Sequence, residues 1–231
     1  MTQLHVEQWG SGDRTAVLVH GITADSSSWW RTGPELAGRG FHVLAPDLPG
    51  HGRSPRWETY SLDAMTDALV EALPQRPALA VGHSLGALLL ARACERLEPG
   101  RVVYVDPAWA APPADGGAMA RALRAQKDWD MERITAALPR WEPEARRYKR
   151  AALDRWDPGT VSSFEGFAGY EPPSPTAPAL LVLADPSHNI PPRRAERLRG
   201  EGFEVRTVPG TGHVVHNEDF DGFKAALKGW Y

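Results

Sequence analysis

The stretch ALAVGHSLGALLLARA, residues 78–93, passes from one structural regime to another within a few positions. Ala78–Gly82 is a short, continuous apolar run of the kind found in strands buried on both faces. Leu85–Leu97 is rich in Leu and Ala and is long enough for a helix of several turns. The residues between them, Gly82-His83-Ser84-Leu85-Gly86, must turn the chain from strand to helix in a single sharp bend. A strand feeding directly into a helix is the building unit of a parallel sheet. The same rhythm extends in both directions. Leu4–Trp9 reads as an edge strand, and Thr15–Val19 and Phe41–Ala45 as buried strands, with helical patterns near Glu35–Gly38 and over Ser61–Leu73. Downstream, Arg101–Asp106, Ala179–Ala184 and Phe203–Val208 read as strands, and Pro192–Arg199 and Asp219–Trp230 as helices. The expectation is an α/β fold: a mostly parallel, twisted sheet with helices on both faces.

The rhythm stops after Asp106. Residues 107–175 contain no convincing buried strand, are edged by prolines (Pro112-Pro113, Pro172-Pro173-Ser174-Pro175), and carry helical spacing over Gly117–Leu138 and Glu142–Leu153. We expect one domain of 231 residues, with residues 1–106 and 176–231 as the core and 107–175 as a helical insertion. Arg121, Arg124 and Lys127 are expected on a solvated helix face.

Composition narrows the functional classes. The formal net charge of −3 lacks the basic excess of a nucleic-acid binder. The single cysteine, Cys94, excludes an intrachain disulfide and reads as a buried structural thiol. The opening MTQLHVEQW has neither a basic nor an apolar leader region, and no run is long enough to span a bilayer, so the expected setting is cytoplasmic, without membrane partners. No His, Cys or Asp cluster has metal-ligand spacing, and no cofactor is implied.

Ser84, on a bend between strand and helix, has the position of a nucleophile whose hydroxyl projects above a sheet. Such a serine needs a base. His213, in Pro209-Gly210-Thr211-Gly212-His213 just after the last strand, is the first choice; His216 is the competitor, for which a surface or capping role is expected. The other histidines (His5, His42, His51, His83, His188) are read as structural, and His20 as a residue that shapes its loop through hydrogen bonds. An acid must orient the base. Asp185 and Asp106 each follow a strand and each fit the chain order Ser, Asp, His; Asp185 is preferred, with Asp106 as the alternative. Acyl transfer also requires donors for the developing oxyanion, for which the N–H groups of Leu85 and of Ile22, after His20-Gly21, are the candidates.

Taken in order, HGI (20–22), PDLPGHGRS (46–54), GHSLG (82–86), VDPAW (105–109), LVLADP (181–186) and GTGH (210–213) resemble the α/β-hydrolase superfamily, in particular its small bacterial esterase, lactonase and peroxidase-like branch. The resemblance implies that the insertion is a helical lid over the active site. It also implies that the acid follows the strand at Ala179–Ala184, which supports Asp185, whereas a minority of relatives place it one strand earlier. PDLPGHGRS reads as scaffold, with Asp47, Gly50, Gly52 and Ser54 building a tight loop.

Nine tryptophans are many for this length, and Trp29, Trp30, Trp109, Trp129, Trp141 and Trp156 are candidates to line a pocket, the first four as substrate-binding residues. The expected substrate is a small hydrophobic or aromatic molecule. The expected reaction is cleavage of an ester, lactone or related carbonyl compound through an acyl-serine, in a monomer or homodimer. Two alternatives stay open: a non-hydrolytic enzyme on the same triad (eliminase, acyltransferase or cyclase), and a ligand-binding protein that has kept the fold.

Overall fold

The computed structural model describes residues 3–112 and 117–231. Residues 113–116, and with them Pro113 and part of the expected insertion, lie outside the described residues.

Among the described residues, seven strands form one sheet: β1 (Val6–Trp9), β2 (Arg14–Val19), β3 (Phe41–Pro46), β4 (Leu79–His83), β5 (Val102–Val105), β6 (Ala179–Leu183) and β7 (Glu204–Thr207). Their spatial order is β1-β3-β2-β4-β5-β6-β7. Only β1 runs antiparallel, pairing Val6 with Pro46 on β3; all other pairs are parallel. Of the runs read as two-sided strands, Val17, Leu18 and Val19 of β2 and all of β4 are buried, whereas His42 and Leu44 of β3 are only half-buried. Side chains alternate across the sheet. Val17, Ala80, Val102 and Leu181 join one core with helices α2 (Leu62–Ala72) and α3 (Leu85–Leu97). Leu18, Val81, Val103 and Val182 join the other with α1 (Thr32–Ala37) and the C-terminal segment.

Between β5 and β6 the described part of the insertion is helical: α4 (Gly117–Ala125), α5 (Met131–Ala137), α6 (Pro143–Arg155) and the 3-10 segment Pro158–Phe164. After β6 come α7 (Pro192–Gly200), α8 (Val215–Glu218) and α9 (Phe220–Ala226). Ile134, Leu153, Trp156 and Val161 of the insertion enter the same core as β2, β4 and β5.

One long helical reading is broken in two. Gly117–Leu138 is interrupted after the 3-10 turn Gln126–Asp128, because Trp129 is extended and Asp130 caps α5 by accepting the Arg133 N–H at 2.7 Å. The closing helix starts where expected, with Asp219 accepting the Gly222 N–H at 2.9 Å, but α9 ends at Ala226, short of Trp230. Arg121 and Arg124 are exposed, but Lys127 is not on a solvated face. Its ammonium donates to the carbonyls of Leu153, Asp154 and Trp156 at 2.7–2.9 Å, closing the C-terminus of α6 where the helix dipole favours a cation. No helix among the described residues is long and apolar enough to cross a membrane.

The tightest approach in the fold is between α3 and β2. A Cβ on Gly86 would lie 2.2 Å from the Val19 carbonyl oxygen and 2.6 Å from that of His20. Both are backbone atoms of a buried strand end and cannot rotate away. Gly86→Ala is therefore expected to lower unfolding stability by about 3 kcal/mol. Gly200→Ala, at a helical position with no atom within 4 Å of the added methyl, should instead be neutral or gain up to ~1 kcal/mol. Urea midpoints for the two variants check the contrast; equal effects would contradict it.

Candidate active site

Ser84 sits at the junction of β4 and α3 with φ 52° and ψ −114°, a backbone region that an L residue occupies at a cost of about 1–3 kcal/mol. The bend is held from both sides. The Ser84 N–H donates to the Val105 carbonyl at 3.0 Å, and the Ser84 carbonyl accepts from Ala108 at 3.2 Å. Gly21 is required nearby, since a Cβ there would meet the His83 ring at 2.8 Å and Ser84 Cβ at 3.3 Å.

A continuous hydrogen-bonded line runs from Ser84 to a buried carboxylate. Ser84 Oγ donates to His213 Nε2 at 2.9 Å, and His213 Nδ1 donates to Asp106 Oδ2 at 2.6 Å. Those two partners fix the tautomer of the neutral ring, with the proton on Nδ1. Asp106 is 1% exposed, whereas the His213 side chain is 44% exposed. The remaining Asp106 oxygen accepts from the Ala184 N–H at 3.3 Å. Such a line can withdraw the serine proton as the hydroxyl attacks, while the carboxylate balances the charge that forms on the ring.

The preference for Asp185 is corrected here. Asp185 is exposed; its carboxylate accepts from the Gly210 N–H at 3.4 Å and its own N–H donates to the Thr211 carbonyl at 2.9 Å. It braces the loop that carries His213 and does not touch the ring. The difference lies in where the two turns aim their carboxylates: the one after β6 points Asp185 at the backbone of the Pro209–Gly212 loop, the one after β5 points Asp106 at the His213 ring. Asp106, at φ 37°, turns off the end of β5 directly under His213.

The loop after β2 passes beside Ser84, and Gly21 and Ile22 line the same cavity. Several of its carbonyls meet polar side chains. The Leu48 N–H donates to His20 Nε2 at 3.0 Å, so His20 Nδ1 carries the proton and donates to the Gly21 carbonyl at 2.8 Å. The buried His51 ring bridges the Ile22 carbonyl, 2.7 Å from Nε2, and the Pro49 carbonyl, 2.9 Å from Nδ1. Lys149, from α6, donates to the Thr23 carbonyl at 2.8 Å. Leu85 is the first residue of α3, so its N–H has no partner within the helix and carries the positive end of the helix dipole.

The cavity beside Ser84 has a volume of about 690 Å³. Trp30, Trp129 and Trp141 line it, together with Tyr148, Phe164 and Leu123. Trp29 and Trp109, expected as substrate-binding residues, do not. Trp29 is fully buried in the core and stacks on His216 at 4.2 Å between ring centroids. Trp109 is equally buried, against Tyr104 at 5.0 Å and Phe203 at 6.1 Å. Trp156 is also a core residue, its indole N–H donating to Thr160 at 2.7 Å. His216 is not a surface residue; it is 2% exposed and packs between Trp29 and His83. His83 donates to the His213 carbonyl at 2.9 Å and so supports the loop of the histidine it precedes by 130 residues.

Three residues of the site went unread in the sequence: Asp25, Tyr148 and Lys149, all on the cavity wall. Burial pushes the Lys149 ammonium down to about 7, with Asp25 pulling the other way. Burial acts to raise the Asp25 carboxyl, but hydrogen bonds from Ser27 and Arg155 outweigh it and leave the group below its ordinary value. Asp25 caps the 3-10 turn Ser26–Trp29, and nothing marks Lys149 among the many cations of residues 146–155. Among the described residues no group of three His, Cys, Asp or Glu side chains is arranged to hold a metal.

Residues 16–226 match the model of the alpha/beta hydrolase family. The chain is 35% identical over 189 residues to a pimeloyl-[acyl-carrier protein] methyl ester esterase of Methylococcus capsulatus, covering 78% of this chain and 68% of that one. It is 28% identical to an N-formylmaleamate deformylase of Pseudomonas putida, covering 96% and 90%. Among solved structures, an N-formylmaleamic acid deformylase from Pseudomonas putida superposes with a TM-score of 0.81 at 25% identity, covering 97% of this chain and 95% of that one.

Burial also sets a pH dependence. It lowers His51 and His216 to about 3 and holds His83 well below its ordinary value, so all three are neutral in the folded protein at pH 7. The unfolded chain binds those protons near pH 6.5, so their contribution to stability is complete above that pH. It is lost as the pH falls toward 3, at roughly 1.4 kcal/mol per pH unit for each histidine. His216→Leu removes one of these protons, and the slope of unfolding free energy between pH 6 and pH 4 is expected to flatten by about that amount. An unchanged slope would show that His216 is not held neutral.

Proposed function

The chain belongs to the alpha/beta hydrolase family, and on that premise we propose that it is a serine hydrolase that cleaves an ester, lactone or related carbonyl compound through an acyl-serine intermediate. The observation that carries this reading is the unbroken line from Ser84 through His213 to Asp106. His213 Nε2 takes the Ser84 proton as Oγ attacks the substrate carbonyl. The oxyanion rests on the N–H groups of Ile22 and Leu85, where one well-placed donor is worth about 3–4 kcal/mol. The protonated ring returns its proton to the leaving group, and an acyl-serine remains. Water, deprotonated by the same nitrogen, then releases the acid and restores the hydroxyl. Asp106 keeps the proton on Nδ1 and stabilises the imidazolium in both halves of the cycle.

The residues of the insertion act as a lid on this reading. Trp129 and Trp141, with Trp30 from the loop after β2, supply aromatic surface for a hydrophobic or aromatic substrate group. A methyl ester esterase and a deformylase are among the relatives, and both names denote acyl transfer to water, the chemistry this arrangement suits.

Short p-nitrophenyl esters are expected to be turned over, and a fluorophosphonate to label Ser84. Ser84→Ala should abolish both. Asp106→Asn should lower kcat about 10³- to 10⁴-fold, because the wrong tautomer is then favoured, while Asp185→Asn should stay within a few-fold of wild type. A large loss in Asp185→Asn with little in Asp106→Asn would overturn the assignment of the acid; full activity in Ser84→Ala would overturn the mechanism.

A further inference from the structure

Lys149 is a lysine of helix α6 that is only 9% exposed, yet no carboxylate lies in ion-pair contact with it among the described residues. Its three N–H donors are taken by the Thr23 carbonyl at 2.8 Å, the Thr23 hydroxyl at 2.6 Å and the Gln126 side-chain oxygen at 3.0 Å. Two of the three bonds therefore fall on one residue of the loop that follows β2. A neighbouring contact ties the same helix to the same loop, Arg155 Nε donating to Asp25 at 3.1 Å.

The Thr23 carbonyl belongs to the peptide whose N–H is that of Ala24. In a planar trans peptide the two point in opposite directions. Holding the carbonyl toward Lys149 turns the Ala24 N–H inward, where it donates to the Gly21 carbonyl at 3.2 Å. That carbonyl in turn shares its peptide with the Ile22 N–H. Holding it back, with the help of His20, turns the Ile22 N–H the opposite way, in a segment so close to the nucleophile that a Cβ on Gly21 would lie 3.3 Å from Ser84 Cβ. Two peptide units are thus linked head to tail between an ammonium and the oxyanion site. Each accepts a hydrogen bond at its C=O and donates at its N–H, the arrangement in which successive bonds polarise one another.

We propose that Lys149 is a positioning residue for acyl transfer, which through the Thr23–Ala24 and Gly21–Ile22 peptides both aims and strengthens the Ile22 N–H as an oxyanion donor. This rests on the serine-hydrolase reading above. It assigns to a residue of the insertion a part in stabilising the transition state, and it separates Lys149 from a substrate anchor, since all its donors are already used inside the protein. The effect should appear only when negative charge develops on the substrate oxygen and leave ground-state binding nearly untouched.

The test compares Lys149→Met with wild type, each normalised to the sites that a fluorophosphonate titrates, so that only folded molecules are counted. The expected result is a fall in kcat of about 10- to 100-fold, less than the loss of a whole oxyanion donor, with KM within about threefold. A trifluoromethyl ketone, which adds to the serine as a tetrahedral oxyanion, should lose affinity by the same factor as kcat. Lys149→Gln, which keeps an N–H for the Thr23 carbonyl, should show a smaller loss of both and replaces the Met variant if that one does not fold. A kcat within about twofold of wild type, a rise in KM alone, or a fall in kcat without a matching loss of ketone affinity would each overturn the proposal. A wild-type enzyme that neither labels nor turns over esters would overturn the parent reading and this one with it.

Discussion

The site depends on how closely α3 is allowed to approach β2. With no side chain on Gly86, the first turn of the helix comes against the carbonyls of Val19 and His20, and Ser84 is forced into a backbone conformation that no regular strand or helix would give it. From that one approach follow the projection of the hydroxyl, the exposure of the Leu85 N–H at the start of the helix, and the nearness of the loop that carries Ile22. The strain at Ser84 persists because its neighbours over-determine it: the sheet ladder fixes one side, the Ala108 hydrogen bond the other, and the core beneath both faces leaves no slack.

Much of this could be read in the sequence because burial on both faces leaves a plain mark. Val17, Leu18 and Val19, or Leu180, Leu181 and Val182, are runs with no polar side because the strand has no polar side. The glycines around Ser84 were legible for a related reason, since only close backbone approach explains them in that position. The choice between Asp106 and Asp185 was not legible. Both follow a buried strand, and what separates them is the turn that follows each strand: one aims the Asp106 carboxylate at the His213 ring, the other aims the Asp185 carboxylate at the Gly210 N–H, and side-chain direction in a turn leaves no periodic mark in the sequence. The tryptophans failed for another reason. An indole is equally at home in a core and on a cavity wall, so Trp29 and Trp30, adjacent in sequence, go to opposite destinations: one under the site against His216, the other onto the cavity. The helix break at Asp130 was signalled by a residue that favours capping, but the periodic pattern around it outweighed the signal.

The insertion between β5 and β6 is bound into the core rather than placed over it. Ile134, Leu153 and Trp156 share one apolar cluster with the sheet, and α6 reaches across to the loop after β2 through Lys149 and Arg155. Its cations do internal work that their spacing in sequence does not reveal: Lys127 closes the end of α6, and Lys149 holds a carbonyl. A charge taken out of water must find oxygen partners, so a lysine that is buried says more about its surroundings than one that is exposed.

Five histidines gather near Ser84, yet only His213 combines contact with the hydroxyl, contact with a carboxylate and an open face. His20, His51, His83 and His216 are all buried, and burial keeps each of them toward the neutral form. Their neutrality matters to the chemistry. On the proposed mechanism, a second imidazolium at His83, whose ring centroid is 4.7 Å from that of His213, would repel the charge that forms on His213 when the serine proton moves. In so confined a space that repulsion would offset much of what Asp106 contributes. As neutral rings the same residues serve as hydrogen-bond donors to the Gly21 and His213 carbonyls, as a bridge between the Ile22 and Pro49 carbonyls, and as packing for Trp29. Burial thus leaves one histidine free to carry a proton and turns its neighbours into scaffold, a division of labour that residue type alone does not reveal.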